Sequence, residues 1–422
     1  MSEGKPGNEA LGGLKVVEFS AAMAGPWIGR FLAYYGAETI RVESRQRPDV
    51  VRLYVPPREP ERGTQPQLSP WFTDWNAGKL FVTLDLTQPR AVEIAKRLVA
   101  RCDVVIENYS SGVMDKLGLG YADLQPINPE LVMLSTSGFG DRGPCSRYVT
   151  WGPNIEALAG LSKLSGFPWQ EGAITQYAYP DALSALHGLF AVMCALDHRA
   201  RTGRGQHISL AQFETTVSSL GSVLMETLVH GREPERLGNR SHRAAPHGCY
   251  RCAGEDRWCT LSVAGEEAWG RFRRVLGDPD WAGRPEFATE AARQKNADAL
   301  DAHIEAWTRT RDEYAVMRSL QEAGIPAGVA QNAEDLLHRD PQLEARNFFE
   351  EIEHVKKGPV TATGIPLGLT ETPGRSGSAG AAMGQDNDHV FGNLLGMTAE
   401  EIRECTEAGA IEAPDREAPH GE

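Results

Sequence analysis

No uninterrupted apolar run in this sequence approaches the ~20 residues that a membrane-crossing helix needs. The opening stretch Met1–Ala10 carries no apolar core of a secretory signal. Cysteine is scarce: seven in 422 residues, an odd number, which argues against a disulfide framework. A reducing, cytoplasmic setting is the expectation. G-x-S-x-G, H-E-x-x-H and Walker A sequences are missing, so those hydrolase, zinc-protease and P-loop mechanisms lose their usual local support. Positive charge is short as well. With 43 Lys and Arg against 57 Asp and Glu, the net charge of −14 argues against broad nucleic-acid binding, although a local basic pocket for a phosphorylated ligand stays open. What is present, 41% hydrophobic and 24% charged residues, suits a globular chain of two or three domains.

The first two hundred residues alternate strand and helix patterns. Strands are expected at 14–19, 39–43, 81–86, 103–107 and 131–135, and helices at 26–35 and 89–100. This alternation predicts βαβ units and a mostly parallel sheet. A long helical stretch starts at Pro180 and ends at the turn Thr202-Gly203-Arg204-Gly205. The stretch 238–254, rich in Gly, Arg, Ser, Pro and His, reads as a loop. A strand at 258–263 and helices at 266–276, 297–310 and 313–323 then suggest a smaller α+β domain. A last helix is expected at 399–408.

Two motifs invite over-reading. Gly138-Phe139-Gly140-Asp141-Arg142-Gly143 matches G-x-G-x-x-G after a strand, but Pro144 and Cys145 follow where a dinucleotide site needs a helix, so a glycine-rich turn is the better reading. His247, Cys249, Cys252 and Cys259 include one C-x-x-C spacing, but the second pair does not repeat it. Free thiols, and no metal, are expected there.

An ordered series of segments resembles the class III CoA-transferases, the family of formyl-CoA transferase, carnitine CoA-transferases and α-methylacyl-CoA racemase. It runs through Leu11-Gly12-Gly13-Leu14-Lys15-Val16-Val17-Glu18-Phe19, Ala24-Gly25-Pro26, Gly36-Ala37-Glu38-Thr39-Ile40-Arg41-Val42-Glu43 and Asn76-Ala77-Gly78-Lys79. It continues through Asp103-Val104-Val105-Ile106-Glu107-Asn108-Tyr109, Ser137-Gly138-Phe139-Gly140, Arg201-Thr202-Gly203-Arg204-Gly205-Gln206 and Gly384-Gln385-Asp386-Asn387. The resemblance implies an α/β fold: a Rossmann-like large domain with a mostly parallel sheet, an inserted small α+β domain, and two interlocked chains. Residues 1–225 and 336–422 would then form the large CoA-binding domain, and 226–335 the small one with its linkers. The stretches around Trp151 and Tyr177–Asp181 are most similar to the benzylsuccinate CoA-transferase branch. That similarity implies succinyl-CoA as donor and either a homodimer or a hetero-oligomer with a related subunit. No nucleic acid or membrane partner is implied.

The same resemblance places a catalytic carboxylate at Asp181. A carboxylate can attack a thioester and carry the CoA as an aspartyl thioester, splitting one hard step into easier ones. Asp181 also sits at a helix start, where free N–H groups and the helix dipole favour an anion, so it is expected to stay ionised at neutral pH. The CoA-contacting positions carry over to Ala22, Met23, Ala24, Lys79, Asn108, Tyr109, Lys116 and Leu117, with Arg45 standing in for an arginine that Ser44 replaces. Lys79 and Lys116 are expected to meet phosphates. Met23 stands where the family has a glutamine, and it cannot donate a hydrogen bond. The glycine run of formyl-CoA transferase is missing from 239–248. There Arg240, Arg243 and His247 are candidates for holding a substrate carboxylate. Trp151 suggests an apolar pocket for an aromatic or bulky acid. The racemase base positions fall on Trp151 and Gly152, neither of which is a base. A non-catalytic companion subunit is the alternative from a different class.

Overall fold

A six-stranded, all-parallel sheet organises the larger part of the chain. It comprises β1 (Lys15–Phe19), β2 (Glu38–Glu43), β3 (Leu80–Thr83), β4 (Val104–Glu107), β5 (Val132–Ser137) and β6 (Gln206–Ala211), in the order β3-β2-β1-β4-β5-β6. The computed structural model describes residues 9–53, 69–355, 357–380 and 382–414. Both faces of the sheet are covered, which explains why β1, β4 and β5 read as near-continuous Val, Ile and Leu runs. On one face Val16, Val104, Ile106 and Leu134 pack against Ile28 and Leu32 of the helix Ala24–Tyr34 and against Ala185, Val192 and Ala195 of the helix Tyr179–Thr202. On the other, Val17, Ile40, Val105 and Met133 meet Ile94 and Leu98 of the helix Pro89–Val99 together with Val390, Phe391 and Cys405 from the end of the chain.

The sheet edge is managed by that returning segment. The Phe81 N–H of β3 donates to the Asp386 carboxylate at 2.7 Å and the Thr83 N–H to Asn387 Oδ1 at 3.0 Å, so these donors of the edge strand are satisfied. The motif Gly384-Gln385-Asp386-Asn387 therefore works as a strand substitute.

The chain folds into two compact units. One draws on the chain up to Ser162, Ile174–Leu228 and the chain from Glu344; the other on Lys163–Ala173 and Val229–Leu343. The first also carries an antiparallel pair, β10 (Phe349–His354) and β11 (Gly358–Thr363). The second holds an antiparallel sheet of β7 (His247–Arg251), β8 (Trp258–Ser262) and β9 (Ala327–Val329), in that order. Its core joins Trp269, Phe272, Phe287, Leu300, Ile304 and Leu320. The loop expected over 238–254 is thus corrected, since its last part forms β7. Gly, Cys and His conceal the strand, but pairing with β8 buries Tyr250.

The helix Tyr179–Thr202 is long and apolar enough, by length and composition, to cross a membrane. The absence of an uninterrupted apolar run did not foreshadow this. The helix packs on the sheet instead: a Cβ at Gly188 would lie 2.8 Å from Ile28 Cδ1 and 3.0 Å from Leu134 Cδ2. Its outer side leaves Leu186, Phe190 and Met193 exposed.

Under the carboxyl ends of β1 and β2 lies a buried ionic network of Glu18, Glu43, Asp49, Arg41, Arg52 and Lys79. Arg41 pairs with Asp49 and reaches Asn76 Oδ1 at 2.5 Å. Arg52 pairs with Glu43 at 2.6 Å, and Lys79 with Glu18 at 2.8 Å. Three carboxylates offset three cations, which makes burying all six tolerable. Removing one partner leaves an uncompensated buried charge. Arg41→Leu is expected to lower unfolding free energy by about 3–5 kcal/mol, read from urea unfolding of the intact chain. A variant that unfolds at the wild-type urea concentration contradicts this account.

Candidate active site

The strand order reverses between β1 and β4, adjacent in the middle of the sheet: β2 and β3 continue from β1 to one edge, β5 and β6 from β4 to the other. In open parallel sheets the crevice beyond the carboxyl ends at such a switch point is where ligands bind. Here β1 leads into Ser20-Ala21-Ala22 and β4 into Asn108-Tyr109. Asn108 ties the two loops together: its Oδ1 accepts the Ala21 N–H at 2.8 Å and its Nδ2 donates to the Ala21 carbonyl at 2.7 Å. Ala22 has φ of 59°, a left-handed conformation unusual for a side-chain-bearing residue. The Asp49 carboxylate accepts the Ala22 N–H, and Arg41 holds Asp49 in turn.

Two cavities meet at these loops, sharing Ala21, Ala22, Val50, Tyr109 and Trp151. One, about 400 Å³, is bounded by Ser44, Gln46 and Arg47 after β2, by Leu84–Thr87 after β3, and by Leu117. The other, about 540 Å³, is walled by Met23, Trp71, Trp75, Tyr148 and Gly152, and holds Asp181 and Gln212. Trp71 and Trp75 stack with centroids 5.6 Å apart. Trp151 is 57% exposed and Tyr148 60%, so this second cavity presents open aromatic surface.

Asp181 lies in the first turn of the helix Tyr179–Thr202. The chain leading to it is anchored by Glu156, whose carboxylate accepts the Thr175 N–H and hydroxyl, each at 2.9 Å. Burial pushes the Asp181 carboxyl up to about 6, against the opposing pull of the Gln212 side chain and of the backbone at Asp181 and Ala24. The helix start therefore does not dominate as expected. Desolvation outweighs it, although the group is still mostly ionised at pH 7. Gly152 makes the space: a Cβ there would lie 2.6 Å from Asp181 Oδ2 and 3.0 Å from the Ala178 Cβ.

A partly buried acid at the switch point, beside a two-chambered cleft, fits a thioester-handling site, and comparison with known proteins decides the family. The profile described as CoA-transferase family III matches residues 11–387. The chain belongs to CoA-transferase family III. Among its relatives is the succinyl-CoA–D-citramalate CoA-transferase of Chloroflexus aurantiacus, 32% identical, the alignment covering 93% of this chain and 96% of that one. The succinate–glutarate CoA-transferase of Agrobacterium fabrum is 28% identical over 91% of this chain and 95% of its own. Among solved structures, a CAIB/BAIF family protein from Brucella suis superposes with a TM-score of 0.84 at 32% identity, covering 92% of this chain and all of that one. As a family III enzyme, the protein uses CoA thioesters as co-substrates.

The structure gathers some of the expected residues and disperses others. Ala22, Met23, Asn108, Tyr109, Trp151 and Asp181 line the second cavity, Leu117 lines the first, and Ala24 is buried and lines neither. Lys79 does not meet a phosphate. It is buried, its ammonium bound by Glu18, Asn76 Oδ1 and the Pro26 carbonyl, and burial pulls its pKa down to about 8. Lys116 is exposed and lines neither cavity. Arg45 turns to the Ala413 carbonyl, while Arg47 lines the first cavity. Arg240, Arg243 and His247 lie in the second unit. Arg240 is already neutralised by Asp298 and Asp301, Arg243 is exposed, and His247 Nδ1 contacts Ser262 Oγ at 2.9 Å. Arg240 is thus unavailable as a free carboxylate clamp in this arrangement. Among the described residues no cluster of three or more His, Cys, Asp or Glu is placed to hold a metal ion.

Sequence reasoning missed Arg47, Asp49 and Gln212. Gln212 opens the helix Gln212–Ser219 directly after β6 and is nearly buried, which is unusual for a polar residue that caps nothing. Glu107 was seen only as part of a strand. Burial pushes its carboxyl up to about 7, and it holds the Tyr109 N–H at 2.9 Å. Gly152→Ala is expected to displace the Asp181 carboxylate and to lower kcat about 10²-fold with little change in melting temperature. Steady-state rates and a thermal melt check this, and an unchanged kcat contradicts the steric account.

Proposed function

We propose that this protein transfers CoA from succinyl-CoA to an aromatic or bulky dicarboxylic acid through a covalent aspartyl-CoA thioester on Asp181. The placement of the Asp181 carboxylate, partly buried in a cavity that opens onto a second chamber, carries this reading. The two relatives whose names contain succinyl-CoA or succinate favour that donor. The exposed rings of Tyr148 and Trp151 favour a bulky, ring-bearing acyl group.

In the proposed sequence, an Asp181 carboxylate oxygen attacks the thioester carbonyl. The C–O bond forms, the C–S bond breaks, and CoA leaves as a thiolate from a mixed anhydride. The thiolate then attacks the aspartyl carbonyl carbon. The new C–S bond expels the donor's carboxylate and leaves the aspartyl thioester. The acceptor acid runs the same steps in reverse. The first cavity takes the CoA arm, with Ala22 and Leu117 on its wall and Arg47 as the cation for phosphate. The second takes the acyl groups.

Racemisation fits less well, because Trp151 and Gly152 offer no base and Gly152 has no room for a side chain beside Asp181. The exposed Leu186, Phe190, Met193 and Leu228 support a second chain, identical or related, covering this surface in the interlocked arrangement.

Incubation with succinyl-CoA followed by peptide mass spectrometry is expected to find a CoA adduct on the Asp181 peptide. A clean peptide, with turnover only beside another chain, favours the companion-subunit role instead. Asp181→Ala is expected to lower kcat at least ~10³-fold while the protein stays folded.

The pH dependence follows from the raised carboxyl. The nucleophile must be ionised, so the rate is expected to rise with pH through about 6 and level off above it. Stability runs the other way. The folded state binds this proton more tightly than the unfolded chain, so stability falls as pH rises from the ordinary carboxylate range through about 6. Asp181→Asn is expected to melt higher than wild type at pH 7.5, with the difference vanishing in acid. Equal melting temperatures at pH 7.5 contradict it.

A further inference from the structure

We propose that Gln212 is a catalytic hydrogen-bond donor of this site: its side-chain amide stabilises the negative charge that develops on the Asp181 carbonyl oxygen during transfer. The inference rests on the proposed role of Asp181 as covalent carrier.

The fold aims this residue. Gln212 stands at the first position of the helix Gln212–Ser219, immediately after the carboxyl end of β6, and is 7% exposed. Its helix is fixed to the one bearing Asp181. Ser184 Oγ donates to the Pro180 carbonyl at 2.6 Å and contacts Thr215 Oγ1 at 3.1 Å. The Thr215 and Thr216 hydroxyls each donate to the Gln212 carbonyl at 2.8 Å. Both residues therefore line the same cavity from two helix starts that are braced against each other, and the Gln212 side chain is among the groups that hold the Asp181 carboxyl down against burial. Gly152 leaves the room that carboxyl needs, since a Cβ there would lie 2.6 Å from Asp181 Oδ2.

Chemistry gives the contact its role. When the CoA thiolate attacks the aspartyl carbonyl carbon, a C–S bond forms and the C=O electron pair moves onto oxygen. The pair returns as the C–O bond to the departing carboxylate breaks. A donor held at that oxygen beforehand needs no reorganisation and strengthens as the charge grows. The Ala24 backbone also pulls the Asp181 carboxyl down, so an amide side chain and a backbone N–H would share the load. Neither belongs to the 239–248 loop.

Gln212→Met, similar in volume but without a donor, is expected to lower kcat about 10²-fold with KM for the acyl-CoA nearly unchanged. The midpoint of the rate–pH profile should move upward, because the ionised Asp181 loses a partner. Gln212→Glu keeps the shape, removes the donor and adds negative charge, so its kcat and midpoint should be worse still. Asp181→Ala is measured in parallel. If Asp181→Ala is inactive while both Gln212 variants keep wild-type kcat and midpoint, the Gln212 inference falls and the Asp181 reading stands. If Asp181→Ala stays active, both fall. A kcat loss with an unmoved midpoint marks a merely structural role and also overturns the inference. Should Gln212→Met fail to fold, Gln212→Glu decides the matter.

Discussion

The whole site leans on one turn. Where β1 ends, the chain must reverse sharply enough for the helix Ala24–Tyr34 to begin with its N–H groups facing the cleft. Ala22 makes that turn in a left-handed conformation that costs an ordinary residue about 1 kcal/mol or more. Asp49 and Asn108 offset the strain with hydrogen bonds to the backbone of Ala22 and Ala21. Arg41 fixes Asp49, and the buried partners Glu18, Glu43, Arg52 and Lys79 surround Arg41. Through this chain of contacts, a buried charge network sets where the start of the helix Ala24–Tyr34 lies at the cleft.

The nucleophile itself shows a trade between stability and reactivity. A carboxylate in water is well solvated and a poor attacker. Burial strips that solvation, which raises its proton affinity and its nucleophilicity together. The Gln212 side chain and the backbone at Asp181 and Ala24 limit the rise, so the group still ionises near neutrality. The helix dipole alone did not forecast this balance, because it describes one favourable term and ignores the desolvation that opposes it.

The strands at the middle of the sheet were plain in the sequence because they are buried on both faces: Val16-Val17, Val104-Val105-Ile106 and Val132-Met133-Leu134 read as apolar runs. β6 and β7 were not. Gln206, His207 and Ser209 dilute the pattern on an edge strand, and β7 mixes Gly, Cys and Arg around one buried tyrosine. Within the site, Asp181 was visible through family resemblance, and Ala22, Asn108 and Leu117 do line the cleft. Lys79 was expected at a phosphate through the resemblance, whereas its neighbours in space are Glu18 and Asn76. Arg47 and Gln212 carry no local signature. Their importance comes from which strands end beside them, and spacing along the chain does not encode that.

The closing of the β3 edge by Asp386 and Asn387 also bears on how the chain is made. The two halves of that contact are 305 residues apart, which at ordinary elongation rates of about 5–20 residues per second corresponds to roughly 15–60 s of translation. Throughout that interval the amino-terminal half of the sheet presents an unpaired strand to its surroundings. Nascent chains of this protein thus pass through a sticky adolescence that ends only when the final stretch emerges, and shelter by chaperones is most valuable in that window.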